Sequence, residues 1–167
     1  RQRVSGITLI TRYFTLLRHR GFVSHALISS FSTFLSFSYL TAASPIFING
    51  FGFTPFHFSM LFGLFAVFMI GASQVNGALV SRFDPTIILT VAVAVSTFGS
   101  LALLAVSLWL GVHPPMTTGL SASIGVVILT MLITLSPTGV IYPNATMGAL
   151  ADHAHMAGTA SALTGTM

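Results

Sequence analysis

The composition of the chain excludes an ordinary soluble protein. Of its 167 residues, 54% are hydrophobic and 5% are charged, with six basic and two acidic residues, whereas a soluble domain carries about 25% charged residues. So few polar side chains cannot cover a water-facing surface, and the composition therefore indicates an integral membrane protein. The chain contains no cysteine, which excludes disulfide bonds and thiolate chemistry.

The apolar residues form long blocks, and short connections rich in proline and glycine separate them. About 20 apolar residues cross a bilayer core of about 30 Å, and each span must be helical because hydrocarbon offers no water to backbone groups. The blocks lack the polar–apolar alternation of a membrane β-barrel. We therefore predict an all-α membrane bundle over residues 22–167, with four full spans and the start of a fifth, at 22–43, 57–80, 86–111, 118–142 and 158–167.

Residues 1–21 precede the first span and allow two interpretations. Ile7, Ile10, Phe14 and Leu17 recur at helical spacing and are flanked by arginines. This pattern is typical of a helix that lies in the membrane interface with its apolar side down. The alternative is a plain positively charged anchor that forms no helix of its own.

The first predicted span carries a polar stripe. At 100° per residue, one face holds His25, Ser29, Ser32, Ser36 and Tyr39. Small hydroxyl residues on one face of a span are explained either by close packing against another helix or by the wall of a water-filled cavity.

The fourth predicted span carries a similar stripe and is interrupted by proline. Ser123, Thr130, Thr134 and Thr138 share one face, Pro137 lies beside it, and Pro143 follows within two turns. Because broken helices in membranes tend to line cavities or act as hinges, the sequence predicts a hinge at Pro137.

Charge is confined to one side of the predicted bundle. Arginines precede the first span, Arg82 and Asp84 separate the second and third spans, and Asp152 follows the fourth. The connections 44–56 and 112–117 contain no Asp, Glu, Lys or Arg. Since basic residues stay in the cytoplasm, this side, including the N-terminus of the chain, is predicted to be cytoplasmic.

No catalytic constellation is visible in the sequence. The predicted spans contain no Asp, Glu, Lys or Arg, and the titratable candidate is His25, which lies one turn inside the first span where a neutral histidine costs little. Asp152, His153 and His155 form a weak metal motif without a closed ligand set. We therefore expect no enzyme, no metal site and no cofactor.

Several strings resemble one family of transporters. "GALVSRF" at 77–83 is similar to the G-x-L-x-D-R-F signature of the major facilitator superfamily. "FSYLTAASPIFI", "FSMLFGLFAVFMIGASQVNGAL" and "IYPNATMGALADHAHMAGTASALTG" resemble the seventh span, the eighth span and the tenth-to-eleventh region of its bicyclomycin/chloramphenicol-resistance subfamily. The last of these strings is the most specific.

The resemblance implies most of the C-terminal half of a twelve-helix transporter, namely spans seven to ten and the start of span eleven. It implies a proton-coupled efflux transporter of small amphipathic drugs or metabolites, working by alternating access in the bacterial inner membrane. Its expected partners are the small-molecule substrate, protons and membrane lipids, without nucleic acid, and the proton-coupling carboxylate is expected in the N-terminal half. The alternative is a non-transporting multi-spanning subunit or anchor.

The resemblance also implies site residues. In the family, spans seven and ten line the central cavity, so the predicted substrate-cavity residues are Ser29, Ser32, Ser36, Tyr39, Ser123, Thr130 and Thr134. The predicted gate and hinge residues are Gly77, Leu79, Arg82, Asp84, Pro137, Pro143 and Asn144.

The signature loop departs from the family pattern at its charged positions. Ser81 stands in place of the signature aspartate, and Pro85 and Thr86 replace the expected basic residues. Ser81 can cap a helix but supplies no charge. Asp84 is the predicted substitute one turn later, because an anion is favourable near a helix N-terminus.

Overall fold

The computed structural model describes residues 6–112, 120–151 and 156–166. Within these ranges the chain folds into seven α-helices joined by short connections, which confirms the predicted all-α class. The helices are α1 (Gly6–Arg18), α2 (Arg20–Ser44), α3 (Pro55–Leu79), α4 (Pro85–Val112), α5 (Leu120–Leu135), α6 (Thr138–Ala151) and α7 (Ala157–Thr166). A π-helical segment, Pro45–Gly50, continues α2.

Four segments of the described chain are long and apolar enough to cross a membrane. They are Arg20–Gly50, Pro55–Leu79, Pro85–Gly111 and Ser123–Ala151. The fourth was predicted over residues 118–142, whereas α6 continues through Pro143 to Ala151. Packed spans tolerate such a proline because neighbouring groups satisfy the backbone that it frees.

Prolines mark the starts of two spans. α3 begins at Pro55, and the side-chain oxygen of Thr54 accepts a hydrogen bond from the backbone of His57. α4 begins at Pro85, and the Asp84 carboxylate accepts from the backbone N–H of Thr86 at 2.7 Å. Proline fits the first helical position because its missing N–H would have no helical partner there.

Helix α6 is the centre of the bundle, because it contacts α2, α3, α4, α5 and α7. Its most extensive contact is with α2. Gly139 allows the closest approach to α3, since a Cβ at this position would collide with the backbone carbonyl oxygen of Met69. The centre of the fold is therefore the second half of the fourth span.

The interior is divided into three apolar clusters along the bundle. One joins α2, α3 and α5 and is made of Ala43, Phe47, Leu61, Phe65, Val127, Met131 and Leu135. A second joins α4 to α6 and is made of Ile88, Leu89, Ala92, Val140, Ile141 and Ala145. A third, near the start of α2, is made of Leu16, Phe22, Ala26, Ala149 and Ala160.

The outer surface of the spans is apolar. Large side chains such as Phe31, Phe34 and Phe98 are well exposed, as expected for a surface that meets hydrocarbon. Exposed charges lie at one end of the bundle, which we call the charged end and define by Arg18, Arg20, Arg82 and Asp84.

Candidate substrate cavity and gate

A cavity of about 480 Å³ opens between α2, α6 and α7. We call it the hydroxyl cavity, because six serine and threonine side chains line it: Ser29, Ser30, Thr33, Thr146, Ser161 and Thr164. Three aromatic side chains complete the wall: Phe34, Phe37 and Tyr142. Among the described residues no charged side chain lines this cavity, so it can offer a ligand hydrogen bonds and aromatic contact without a charge partner.

Several hydroxyl groups of the cavity are held by their own helices. Ser30 donates to the Ala26 carbonyl at 2.8 Å, and Thr33 donates to the Ser29 carbonyl at 3.0 Å. Such bonds to the preceding turn are the usual way in which serine and threonine are satisfied inside a helix. They fix the side chains and leave oxygen lone pairs directed away from the backbone.

Ser29 joins two walls of the hydroxyl cavity. Its side chain is buried, and its hydroxyl oxygen lies 3.4 Å from that of Thr146 on α6. The sequence analysis named Ser29 but not Thr146. The periodic stripe of α2 gave no information about its partner helix, which only the packing of α2 on α6 provides.

Ser32 lies on a different cavity from Ser29. A space of about 390 Å³ between α2, α4 and α6 is lined by Ser32 together with Ser96 and Ser100 of α4. Ser36 donates to the Ser32 carbonyl at 3.0 Å. The predicted stripe of α2 is therefore divided between two cavities rather than forming one wall.

Tyr39 lies among aromatic side chains in the uncharged half of the bundle. Its ring is stacked at 6.2 Å on Phe62 and meets Phe65 edge-on at 5.1 Å. Its hydroxyl is buried and has no hydrogen-bond partner among the described residues. The structure thus separates Tyr39 from the hydroxyl cavity.

The stripe of the fourth span packs against α4. Thr130 and Thr134 are buried, and each hydroxyl donates to a carbonyl of its own helix. Ser96 of α4 donates to the Thr134 carbonyl at 2.7 Å, and Gly99 packs directly against Thr134. Ser123 is half-buried two turns earlier in α5. Of the two explanations for such a stripe, close helix packing fits Thr130 and Thr134.

The break at Pro137 is stabilised by the residues around it. α5 ends at Leu135 and α6 begins at Thr138. The Thr138 hydroxyl donates to the Leu135 carbonyl at 2.6 Å, and the backbone N–H of Ile141 donates to the Pro137 carbonyl at 2.8 Å. Carbonyl groups at the break thus have local hydrogen-bond partners.

Asn144 forms a buried amide pair with Asn76, which the sequence analysis did not name. The Asn144 side-chain nitrogen donates to the Asn76 side-chain oxygen at 2.6 Å and to the Val140 carbonyl at 2.8 Å. Both asparagines are at least 90% buried. The signal was present in the sequence, because an amide inside an apolar span needs a partner, and Asn76 directly precedes the "GALVSRF" string.

The signature loop closes the charged end between α3 and α4. Ser81 donates to the Ala78 carbonyl at 2.7 Å, so its hydroxyl closes α3 and does not cap α4. Asp84 caps α4 instead, and hydrogen bonds from Thr86 hold the pKa of its carboxyl below the ordinary value. The loop therefore places its negative charge at a helix N-terminus, as the sequence predicted for Asp84.

The other predicted gate residues lie around this loop. Gly77 and Arg82 are exposed, and Leu79 packs against the apolar cluster between α4 and α6. Pro143 lies within α6, one residue before Asn144.

His25 lines a smaller cavity at the charged end. This cavity, of about 300 Å³, also contains Asp84, Thr86 and Asn144 in its wall. The His25 Nδ1–H donates to the Gly21 carbonyl at 2.8 Å. The ring packs on Gly148 so closely that a Cβ there would collide with it.

The weak metal motif of Asp152, His153 and His155 falls outside the described residues. Within the described ranges, no group of three or more His, Cys, Asp or Glu side chains is placed to hold a metal ion.

Comparisons with known proteins agree with the resemblance in the sequence. The sequence model of the Major Facilitator Superfamily matches residues 2–167. A Haemophilus influenzae protein named bicyclomycin resistance protein homolog is 29% identical over 167 residues, and the MFS-type transporter YdgK of Bacillus subtilis is 28% identical over 151 residues. These alignments cover 96% and 90% of the chain but 38% and 35% of the two relatives. No solved structure matches the chain.

Proposed function

Since this chain belongs to the major facilitator superfamily, we propose that it forms most of the C-terminal half of a proton-coupled efflux transporter for small amphipathic drugs or metabolites. The chain spans a little over a third of the length of the curated relatives that it matches, at 35% and 38%. The name of the Haemophilus influenzae relative supports a drug as the substrate. The proposal includes no chemical change to the substrate.

The hydroxyl cavity is the observation that carries this proposal. Its volume of about 480 Å³ lies within the range of roughly 300–1,000 Å³ that is typical of small-molecule sites. Its wall combines hydroxyl and aromatic side chains without charge, which suits a neutral molecule with both polar and apolar parts. In this proposal Ser29 contacts the substrate, with Thr146 beside it.

The remaining predicted cavity residues take other places in this proposal. Ser32 belongs to the second cavity between α2 and α4, Ser36 donates to the Ser32 carbonyl one turn away, and Tyr39 belongs to the aromatic cluster toward the uncharged end. Thr130 and Thr134 hold α5 against α4, and so they position the wall rather than contact the substrate.

Alternating access in this proposal uses the two structural features of the fourth span. The amide pair ties α6 to α3 at the charged end, while the break at Pro137 separates α6 from α5. When the two halves of a transporter rock about a central site, α6 can then tilt with α3 while α5 stays packed on α4.

The proton-coupling group belongs to the other half of the transporter in this proposal. Asp84 and Asp152 are the two acidic residues of the chain, and neither lies within a span. A coupling carboxylate must be partly desolvated so that it titrates near the working pH. The exposed Asp84, with its lowered pKa, does not fit this requirement.

We propose the bacterial plasma membrane as the location, with the charged end in the cytoplasm because basic residues are retained there. The chain has no native cysteine, so single cysteines report sidedness directly. A cysteine at Ser81 should resist an impermeant thiol reagent added outside cells, whereas one at Asn49 should react. Labelling with the opposite pattern would reverse the proposed orientation.

Drug uptake into everted membrane vesicles tests the transport proposal. Vesicles that contain the full-length protein and have an acidic interior should accumulate bicyclomycin or another neutral amphipathic drug. Ser161→Phe, which adds a ring to the wall of the hydroxyl cavity, should reduce uptake by roughly tenfold at equal protein abundance, because the ring occupies space that the substrate needs and a steric mismatch in a pocket costs about 1–3 kcal/mol. The matched control is Ser107→Phe, which adds the same ring to an exposed position of α4 and should leave uptake unchanged.

Two outcomes would contradict the proposal in different ways. If no drug accumulates although the protein is abundant, the chain belongs to a non-transporting subunit. If Ser161→Phe and Ser107→Phe transport equally, the protein is a transporter but the hydroxyl cavity is not its substrate site.

A further inference from the structure

Helix α1 is separated from α2 by a single non-helical residue. His19 adopts an extended backbone conformation, with φ −85° and ψ 107°. Its ring nitrogen Nδ1 accepts a hydrogen bond from the backbone N–H of Phe22 at 3.3 Å and so caps the start of α2. α1 is therefore a separate helix, and not an extension of the first span.

The inner side of α1 is fixed to the charged end of the bundle. Leu16 is 0% exposed and packs in one cluster with Ala26 of α2, Ala149 of α6 and Ala160 of α7. These alanines lie near the starts of α2 and α7 and the end of α6. α1 thus lies across the ends of three helices, at the level where the spans leave the hydrocarbon.

The outer side of α1 combines apolar and basic groups. Phe14 is 65% exposed and Leu17 is 44% exposed. Arg18, at the end of α1, and Arg20, at the start of α2, are exposed as well. The sequence contains no acidic residue before Asp84, so this part of the chain carries an unopposed positive charge.

We propose that α1 binds the surface of a membrane that contains anionic phospholipid, with Phe14 and Leu17 between the acyl chains and with Arg18 and Arg20 on the phosphates. A helix with a basic and an apolar side at the depth of the headgroups is the type that lies in the interface. Each arginine near an anionic leaflet strengthens binding about fivefold. Because this surface is both basic and apolar, an anionic lipid matches it better than a second protein surface of unspecified charge.

Large apolar side chains are also exposed on the first span. Leu27 and Phe31 of α2 are 42% and 68% exposed. Both helices therefore present apolar groups outside the protein interior. If water rather than lipid surrounded α1, the apolar side chains of Phe14 and Leu17 would stay hydrated. This is unfavourable by about 25 cal/mol per Å² of apolar surface.

Fluorescence quenching by brominated lipids tests this inference on the full-length protein in liposomes. The chain contains one tryptophan, Trp109. In the full-length protein, Trp109 and any tryptophan outside this chain are replaced by phenylalanine. Phe14→Trp then supplies the fluorescent probe. Two liposome samples hold equal amounts of phosphatidylglycerol and phosphatidylcholine, with bromine on the acyl chains of one lipid or of the other. We expect strong quenching, and stronger quenching when the anionic lipid is brominated.

Charge removal separates the two parts of the inference. Arg18→Gln with Arg20→Gln should lower the relative association constant for phosphatidylglycerol by about fivefold to 25-fold. A Phe98→Trp probe on the outer surface of α4 is the control. It should be quenched by both lipids, and its quenching should be unchanged by the arginine substitutions.

Each other outcome would overturn the inference. A Phe14→Trp probe with water-like emission and no quenching would place the helix surface in solvent. Blue-shifted emission without quenching would show that another part of the protein covers it. Equal quenching by both lipids would show an interfacial helix without anionic preference. None of these readouts depends on drug transport, so they are independent of the proposed function.

Discussion

The side-chain amide of Asn144 donates a 2.6 Å hydrogen bond to the side-chain oxygen of Asn76, and this bond joins α6 to α3 near the charged end. Its position between spans matters because no water competes for either group inside hydrocarbon. A buried amide without a partner is destabilising. The pair therefore specifies which faces of the two helices meet, in addition to the apolar contacts around it.

Loss of either asparagine should destabilise the bundle, and the effects of the two losses should not be additive. In a double-mutant cycle of Asn76→Ala and Asn144→Ala, we expect a coupling energy of about 0.6–1.7 kcal/mol, as for hydrogen bonds between other membrane helices. Unfolding of the purified protein in a graded mixture of mild detergent and dodecyl sulfate measures it. Asn76→Ala combined with Ser107→Ala is the control cycle and should be additive. A coupling energy near zero for the asparagines would contradict a specific pair.

The break between α5 and α6 should be needed for movement more than for folding. Pro137→Ala restores a backbone N–H between Leu135 and Thr138 and allows one continuous helix. We expect slower transport by the full-length protein with nearly normal abundance in the membrane. Efflux rates and immunoblots from the same cells measure the two quantities.

Pro143→Ala is the matched control for this substitution. Pro143 lies within a helix that already continues through it, so its replacement should change transport less than Pro137→Ala does. Transport that is unaffected by Pro137→Ala would show that the proline is only tolerated. Loss of the protein from the membrane would show that the break is needed for folding.

The number of full spans and their helical structure could be predicted from the sequence because hydrophobic length alone decides them. Bilayer thickness sets the length of a span, and the blocks of this chain match it. The cap at Asp84 was also predictable, because an acidic residue directly before proline is a local signal for a helix start. Both features depend on neighbours in the sequence.

Contacts between helices could not be predicted in the same way. The stripe on α2 suggested one wall, but Ser29 and Ser32 face different cavities. Which cavity a serine faces depends on where α6 crosses α2, and the periodicity of one helix holds no information about that. Asn76 was missed for the same reason, because its partner Asn144 is 68 residues away in the chain.

His25 should not be the proton carrier, although it lies near the start of the first span. Its Nδ1–H is donated to the Gly21 carbonyl, and its ring rests on Gly148. We therefore expect His25→Gln to leave pH-driven drug uptake by everted vesicles largely intact. If the His25→Gln protein still bound the drug but its uptake no longer depended on the pH gradient, His25 would be the proton carrier, contrary to this expectation.

Asp84 should contribute to stability at neutral pH and lose that contribution in acid. Hydrogen bonds from Thr86 lower the pKa of its carboxyl below the ordinary value of 3.8. The folded state therefore binds this proton less readily than the unfolded state, so the stabilisation is present above about pH 4 and disappears as the pH falls through the folded pKa.

Asp84→Asn isolates this charge effect, because asparagine caps a helix about as well as aspartate. We expect the wild type to be more stable than the variant at pH 7, and the difference to shrink steadily below pH 4. Thermal unfolding in detergent over this pH range measures the difference. A difference that is the same at every pH would show that the carboxylate charge has no part in the cap.

The hydroxyl cavity has a hydrogen-bonding polarity that follows from its own backbone contacts. The hydroxyl protons of Ser30, Thr33 and Thr164 are already donated to the carbonyls of Ala26, Ser29 and Ala160. At these three positions the wall accepts hydrogen bonds more readily than it donates them, so it favours guests that bring their own N–H and O–H groups. A ligand with only ether and ester oxygens would place its lone pairs against those of the wall. Methylation of a ligand's N–H and O–H groups should therefore weaken its binding, even though the molecule becomes more apolar.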